Sequence, residues 1–195
     1  SEDWKEKKIA DIADVTSGQS PPGSSYNQDG IGMEFHQGKK HFGESSLNAS
    51  GVWTTEVTRK ALPGDIVMSV RAPVGPINYV EREVCIGRGL ASIRPNEAIK
   101  RGFLAKFLLM NEGRINGHAG ATFNSINKKE IEGILVPLPS LDEQERIVEF
   151  LDEVFASIDD AKANIDRNIS NVREVFQSYL NDLFSNPSED WKEKK

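Results

Sequence analysis

The sequence predicts an α+β fold, in which a mixed α/β domain is followed by one long, coiled-coil-forming α-helix. Residues 1–139 contain short apolar or alternating stretches bounded by Gly, Pro or Asn. These stretches do not alternate regularly with helical patterns, which argues against a doubly wound sheet. Residues 141–184 repeat apolar side chains in steps of 3 and 4, which is typical of a coiled-coil seam. We therefore expect residues 1–139 to form one domain and residues 140–187 to form the helix.

The regular elements of the N-terminal domain are predicted from short apolar runs and one amphipathic segment. Asn96 is a suitable N-cap for a helix from Glu97 to about Asn111. The apolar face of that helix would consist of Ile99, Phe103, Phe107 and Leu108. The predicted strands are residues 65–71, 77–80, 84–87, 91–94 and 134–138.

Two capping boxes mark helix starts in the second half of the chain. Asn127 followed by Glu130 predicts one short helical turn, and Ser140 followed by Glu143 predicts the start of the long helix. Asn186-Pro187 predicts its end. At ~1.5 Å per residue the helix would be about 65 Å long.

The long helix carries an apolar seam and therefore requires a packing partner. One interpretation is that the base of the helix packs on its own N-terminal domain; the other is a surface for a protein partner. Both can hold at different heights along the helix. The predicted partner-helix positions are Ile147, Leu151, Val154, Ile158, Ile165, Ile169, Val172, Phe176, Tyr179 and Leu183.

The net charge of −6 is unevenly distributed along the 195 residues. Residues 1–140 hold 17 Lys or Arg against 16 Asp or Glu, whereas residues 141–187 hold 4 against 11. All the net acidity therefore lies in the helical segment. The N-terminal domain remains electrostatically able to meet phosphate.

Composition also bears on the compartment. No stretch is long and apolar enough to span a membrane, and no signal-peptide core is present near the N-terminus. The single cysteine, Cys85, lies between Val84 and Ile86 and is expected to be a buried, reduced thiol. These features predict a cytoplasmic protein without membrane contact.

Signatures of catalysis or metal binding are missing. The sequence has neither a GxxxxGK[ST] loop nor a G-x-S-x-G elbow, and Gly87-Arg88-Gly89 is predicted to be a turn. The histidines and the carboxylates near strands lack the spacing of metal ligands. We therefore expect no reaction centre, no metal and no cofactor. The residues concerned are His36, His41, His118, Asp65, Glu81 and Glu83.

The octamer SEDWKEKK occurs twice, at residues 1–8 and again at residues 188–195. Two explanations remain open: a duplication introduced when the gene was prepared for expression, or the start of a second copy of a large repeat unit. Under the second explanation, residues 188–195 begin a second repeat. Whether the chain is a natural form or a truncated one stays open.

Four stretches together carry a family resemblance. They are Trp4–Ala13 with Ser17-Gly18 after it, Pro63–Arg71, Thr122–Asn127 and Val136–Val148. The last contains a Pro-Leu-Pro-x-Leu-x-Glu-Gln junction that leads into the long helix. In these stretches the chain resembles the specificity (S) subunit of type I restriction-modification systems, in a half-length form.

The resemblance implies a function. Residues 1–139 would be a DNA target recognition domain, and residues 140–187 a spacer helix. Full-length members contain this unit twice, with their helices antiparallel. The resemblance therefore implies a non-catalytic specificity subunit that binds double-stranded DNA and positions methyltransferase (M) and restriction (R) subunits, which would supply the catalysis.

A single unit predicts a homodimer. Two copies packed through antiparallel helices would reproduce the two-unit arrangement and read two inverted, identical half-sites. The alternative is a coiled-coil protein-interaction adaptor without DNA specificity. A stand-alone nuclease is a third hypothesis.

Candidate DNA contacts are polar and basic side chains in the predicted loops, chosen by their chemistry. The DNA sequence recognised and its spacer length cannot be read from the residues. The expected phosphate contacts are Lys39, Lys40, Arg71, Lys128 and Lys129. The expected base-edge contacts are Gln19, Tyr26, Asn27, Gln37, Arg114 and Asn124.

Overall fold

The computed structural model describes residues 4–115 and 125–185, and it confirms the predicted α+β fold with a long C-terminal helix. The described residues form two compact units that divide between Val148 and Glu149. In chain order the elements are β1 (Lys5–Lys8), α1 (Ile9–Ile12), β2 (Ala13–Ser17), β3 (Tyr26–Asn27), β4 (Met33–His36), β5 (Trp53–Thr54), β6 (Lys60–Ala61), β7 (Ile66–Ser69), β8 (Ile77–Tyr79), β9 (Val84–Ile86), β10 (Leu90–Pro95), α2 (Arg101–Met110), α3 (Glu112–Ile115), α4 (Lys128–Glu132), β11 (Leu135–Leu138) and α5 (Leu141–Ser185).

The strands of the first unit form three small sheets. A four-stranded sheet has the order β2-β10-β7-β8, and a five-stranded sheet has the order β3-β5-β4-β9-β6. Strands β1 and β11 pair antiparallel as a separate ribbon, so the start of the domain meets the strand that precedes α5. Strands β4 and β9 are parallel neighbours, with Phe35 opposite Cys85.

Strand β7 lies between two hydrophobic clusters and is buried throughout. Ile66 and Met68 belong to a cluster that also includes residues of α1, α2 and α4, whereas Val67 belongs to a second cluster with Val84 and Ile86. Successive side chains of a strand point to opposite faces. The three apolar residues of β7, Ile66–Met68, therefore join the two cores, which explains the uninterrupted apolar run in the sequence.

All five predicted strands are present, with slightly different bounds, but the predicted start of the first long helix was wrong. Helix α2 begins at Arg101 and not at Glu97. The Asn96 side chain accepts a hydrogen bond from Ala98 N (2.9 Å) and donates to Asp11 O (3.2 Å), so it stabilises a turn. The backbone N–H of Lys100, the residue before α2, donates a hydrogen bond to the side chain of Gln144 in α5.

The first turns of α5 belong to the N-terminal unit. Glu143 N donates to the Ser140 hydroxyl at 3.4 Å, which is one of the two hydrogen bonds of a capping box. Gln144 is buried, and Ile147 and Val148 pack against the larger core cluster. Ile147, predicted as a partner-helix position, therefore contacts its own domain, because the seam begins where the helix is still covered by that domain.

The second unit contains the remainder of α5. Its seam residues from Val154 onward are exposed, with exposed fractions from 37% to 68%. Leu151 is partly buried. In the described residues, 4–115 and 125–185, no helix is long and apolar enough to cross a membrane.

Candidate nucleic-acid interface

A series of backbone hydrogen bonds brings four polar loop segments together on the first unit. Gly89 N donates to Gln37 O (3.1 Å), Val70 N donates to Gly89 O (2.9 Å), and Ile126 N donates to Val70 O (3.0 Å). Arg71 and Ser125 also form an isolated antiparallel bridge. Segments 37–41, 70–71, 87–89 and 125–129 are thereby linked although they are distant in sequence. We call these segments, with Gln19 and Ser20, the loop surface.

Gln19 and Ser20 join this surface beside the 87–89 turn. Gln19 N donates to Ile86 O at 3.0 Å, and Ser20 Oγ accepts a hydrogen bond from Arg88 N at 3.2 Å. The Thr58 hydroxyl donates to Gln19 O. These bonds hold the backbone of the first polar loop and leave the Gln19 side chain exposed. The structure therefore brings together Gln19, Gln37 and Arg71, as a shared binding function requires.

Four cations of the loop surface are exposed and have no carboxylate partner among the described residues. Lys39, Lys40, Arg71 and Arg88 are exposed, and none forms an ion pair with another residue of the described part of the chain. Five other basic side chains of the domain are neutralised by carboxylates: the pairs are Lys60–Glu83, Arg82–Glu34, Arg94–Asp65, Lys100–Glu145 and Arg101–Glu81. Unpaired cations on one surface favour an anionic partner such as a phosphate backbone.

Tyr26 and Asn27 use their polar atoms inside the first loop. The Tyr26 ring stacks on Phe35 with centroids 4.9 Å apart, and its hydroxyl donates to Pro21 O at 2.9 Å. Burial raises the pKa of Tyr26, and Cys85 adds to this effect. Asn27 Oδ1 accepts from Ile31 N (3.0 Å), while its Nδ2 donates to Ile31 O (2.9 Å). These contacts favour a role in shaping the loop, and base contact by either residue stays a prediction.

The remaining predicted contacts are placed less favourably or lie outside the described residues. Lys128 forms an ion pair with Glu132 at 3.4 Å within α4. Lys129 is exposed on the same short helix. Asn124 and the side chain of Arg114 lie outside the described residues.

Behind segment 37–41 lies a buried polar group centred on His36. The His36 side chain is fully buried, and neither ring nitrogen has a hydrogen-bond partner among the described residues. Burial lowers its pKa to about 4, although Glu34, whose Oε1 lies 3.4 Å from His36 Nε2, opposes that shift. Burial raises the pKa of Glu34, but hydrogen bonds from Arg82 and from Ser50 N outweigh it, so the net shift is downward.

The three carboxylates considered as nuclease ligands each form an ion pair with a different cation. Asp65 is buried and accepts hydrogen bonds from Arg94 Nε (2.6 Å) and Ser92 Oγ (2.6 Å). Glu81 and Glu83 bind different cations in the pairs given above. In residues 4–115 and 125–185, no group of three or more His, Cys, Asp or Glu side chains could hold a metal ion. Cys85 is buried and forms no disulfide.

Arg88 and Ser20 are candidate functional residues that the sequence reasoning missed. Gly87-Arg88-Gly89 forms the predicted turn, with an exposed arginine at its centre. The usable signal was an arginine between two glycines directly after a buried strand. Its importance depends on contacts with Ser20 and Gln37, which are far away in sequence.

Comparison with known proteins identifies the family. The profile of the type I restriction modification DNA specificity domain matches residues 1–170. The chain is 40% identical over 154 residues to the putative type I restriction enzyme MjaX specificity subunit of Methanocaldococcus jannaschii. This alignment covers 77% of this chain and 36% of the relative. It is 28% identical over 131 residues to the type I restriction enzyme EcoBI specificity subunit of Escherichia coli. This alignment covers 64% of this chain and 28% of the relative.

Two solved structures share the fold over nearly the whole chain. The HsdS subunit from Thermoanaerobacter tengcongensis superposes with a TM-score of 0.80 at 34% identity, covering 95% of this chain and 46% of that one. A chain from a study of complex assembly and conformational transition of the type I R-M system superposes with a TM-score of 0.84 at 36% identity. The match covers 93% of this chain and 45% of that one. The chain thus spans less than half the length of these relatives. It belongs to the family of type I restriction-modification DNA specificity subunits.

Proposed function

We propose that this chain reads DNA as the specificity subunit of a type I restriction-modification complex. The observation that carries this proposal is the loop surface, on which Lys39, Lys40, Arg71 and Arg88 are exposed and form no ion pair with any residue that the structure describes. Gln19 and Gln37 lie among these cations and supply amide groups that can bind base edges. Residues 1–139 would be the target recognition domain and residues 140–187 the spacer helix.

The cations and amides of the loop surface have different tasks in this proposal. Lys39 and Lys40 bind phosphates, which fixes the position of the domain on the duplex without selecting a sequence. Arg71 is likewise a phosphate contact, and the amides of Gln19 and Gln37 then bind base edges in a groove. Phosphate contacts make the affinity fall as salt rises, because neutralised phosphates release their counterions.

The active form would be a homodimer. The seam of α5 from Val154 to Leu183 is exposed, and a contiguous apolar stripe of this kind favours association. Two antiparallel copies would place two identical recognition domains on inverted half-sites, because a two-fold interface uses the same surface of both chains.

The subunit would act without catalysis of its own. Members of this family are non-catalytic in general, and the chemistry would lie in the methyltransferase and restriction subunits that it positions in the cytoplasm. The acidic helical segment, with 11 Asp or Glu against 4 Lys or Arg in residues 141–187, would contact those proteins, since it repels DNA.

Selection from a random duplex pool tests this function. The full chain is mixed with the methyltransferase subunit of its own system, and the retained duplexes are sequenced. The expected result is a gapped motif with two inverted, identical halves. An asymmetric motif would overturn the homodimer proposal, and retention without any sequence preference would favour a protein-interaction adaptor.

A further inference from the structure

Ser20 connects the side chain of Gln37 to the backbone of the 87–89 turn. The Ser20 hydroxyl oxygen accepts the hydrogen bond from Arg88 N (3.2 Å), and the hydroxyl donates to Gln37 Oε1 (3.0 Å). A serine hydroxyl has one hydrogen to donate. In this hydrogen bond the carbonyl of the Gln37 side chain faces Ser20, and its NH₂ group has no hydrogen-bond partner among the described residues.

The glycines on both sides of Arg88 allow the turn to lie against Gln37. A Cβ at Gly87 would be 2.9 Å from Gln37 Oε1 and 2.9 Å from Phe35 Cζ. A Cβ at Gly89 would be 2.6 Å from Gln37 O. Side chains at these positions would displace the Gln37 segment. The close approach keeps the backbone of Arg88 and the side chain of Gln37 in a fixed relation.

Arg88 is free to bind a ligand, unlike two other arginines of the domain. Arg82 donates to Glu34 at 2.6 Å, and Arg94 donates to Asp65 at 2.6 Å, so both contribute to the fold. Arg88 is exposed, and its side chain forms no ion pair within the described residues. Its backbone, in contrast, is anchored through Ser20, which is the arrangement expected of a specificity residue.

Together, Arg88 and Gln37 present hydrogen-bond donors. A guanidinium has donors and no acceptor, and the outward group of the anchored Gln37 side chain is its NH₂. In the major groove guanine presents two neighbouring acceptors, N7 and O6, which match a guanidinium fork. Adenine combines an acceptor with a donor, and cytosine presents a donor. An unanchored glutamine would suit adenine, because it could offer its carbonyl as well.

We propose that Ser20, Gln37 and Arg88 form one base-reading group that selects guanine in the major groove of each half-site. Arg88 contacts guanine N7 and O6, Gln37 donates to an acceptor on the neighbouring base, and Ser20 is a positioning residue that sets the orientation of Gln37. This inference rests on the proposed function, because it requires the loop surface to meet DNA.

The test repeats the pool selection with three variants of the full chain. Arg88→Lys keeps the charge but removes the bidentate fork, so preference for one guanine should fall about 10-fold or more while affinity for random duplex stays unchanged. Ser20→Ala frees the Gln37 carbonyl, so the neighbouring position should begin to accept adenine. Ser24→Ala removes an exposed hydroxyl from the same loop and should leave the motif intact. Thermal unfolding of each variant checks that the domain remains folded.

The outcomes separate this inference from the function on which it rests. If the unmodified chain selects no motif, the proposed function fails. If it selects a motif and Arg88→Lys retains the same guanine preference, the function stands and the inference is wrong. The inference is also wrong if Arg88→Lys weakens binding to all duplexes equally, because the Arg88 side chain would then make no base-specific contact.

Discussion

Gln144 Oε1 accepts a hydrogen bond from Lys100 N at 2.7 Å, which joins the start of α5 to the start of α2. The same side chain donates from Nε2 to Pro139 O (3.0 Å) and to Ala98 O (3.2 Å). Gln144 is fully buried, so its own amide atoms depend on these three backbone groups and not on water. This gives a physical reason for glutamine at the end of the Pro-Leu-Pro-x-Leu-x-Glu-Gln junction: an amide supplies both the acceptor and the donors.

Replacing Gln144 should therefore destabilise the N-terminal unit. We expect Gln144→Leu to lower the free energy of unfolding by about 2–4 kcal/mol, because it removes the acceptor of Lys100 N and the donors to two carbonyls, one of them in a buried hydrogen bond. Glu145→Gln is the control: it removes the exposed ion pair with Lys100 Nζ and should cost less than about 1 kcal/mol. Urea unfolding followed by circular dichroism, at one protein concentration, measures both. Equal losses would contradict this account of the junction.

The buried histidine predicts a stability that depends on pH. The pKa of His36 is about 4 in the folded domain, against an ordinary value of 6.5, so below pH 6.5 the unfolded chain binds a proton that the folded chain does not. Neutral His36 therefore contributes stability that is complete above pH 6.5 and is lost as the pH falls toward 4. By linkage, the free energy of unfolding should drop by about 2 kcal/mol between pH 7 and pH 5. The lowered pKa of Glu34 acts in the same direction at lower pH.

Substitution of His36 separates its contribution from that of its neighbours. Glu34, Arg82 and His41 are the charged or titratable groups that act on it. His36→Leu removes the titrating group from a site where its nitrogens have no hydrogen-bond partner among the described residues. Urea unfolding of this variant should show a pH dependence between 7 and 5 that is smaller by about 2 kcal/mol. An unchanged dependence would mean that His36 titrates normally.

The unpaired lysines predict a change in the salt dependence of DNA binding. Lys39→Ala and Lys40→Ala should each weaken binding to all duplex sequences alike and reduce the slope of log K against log salt by about 1. Fluorescence anisotropy measures this slope, in titrations from about 50 to about 200 mM salt. Lys162→Ala removes the same charge from the exposed face of α5 and should leave the slope unchanged. A loss confined to one sequence would indicate base contact instead.

The exposed seam predicts how the oligomeric state depends on α5. Ile169 is 46% exposed in the middle of the seam, so Ile169→Glu should place a charge in the dimer interface and shift the chain to monomer. Asn171→Glu introduces the same charge two positions along the helix, away from the seam, and should preserve the dimer. Sedimentation equilibrium at micromolar concentration measures both variants. Only monomer for the unmodified chain would remove the homodimer proposal.

The elements whose formation depends on neighbouring residues could be predicted from the sequence. The apolar steps of 3 and 4 and the Ser140–Glu143 capping box predicted α5, which runs from Leu141 to Ser185. The Asn127–Glu130 box predicted α4, and both of its hydrogen bonds are present. The start of α2 was mispredicted because Gln144, 44 positions away from Lys100, binds the amide that precedes the helix. A local capping rule contains no information on such a contact.

The sequence by itself determined the fold class, the long helix and the residue types suited to phosphates and bases. Only the tertiary structure decided which of those residues meet: Gln37, Gly89, Val70 and Ile126 are joined in series by backbone hydrogen bonds. The tertiary structure also added Arg88 to the loop surface. It directed the polar atoms of Asn27 into the loop that contains Asn27 itself. Helical periodicity and capping arise between residues three or four positions apart, so they are visible in a sequence. The loop surface arises from pairing between strands far apart in the chain, and no local pattern records which strands will pair.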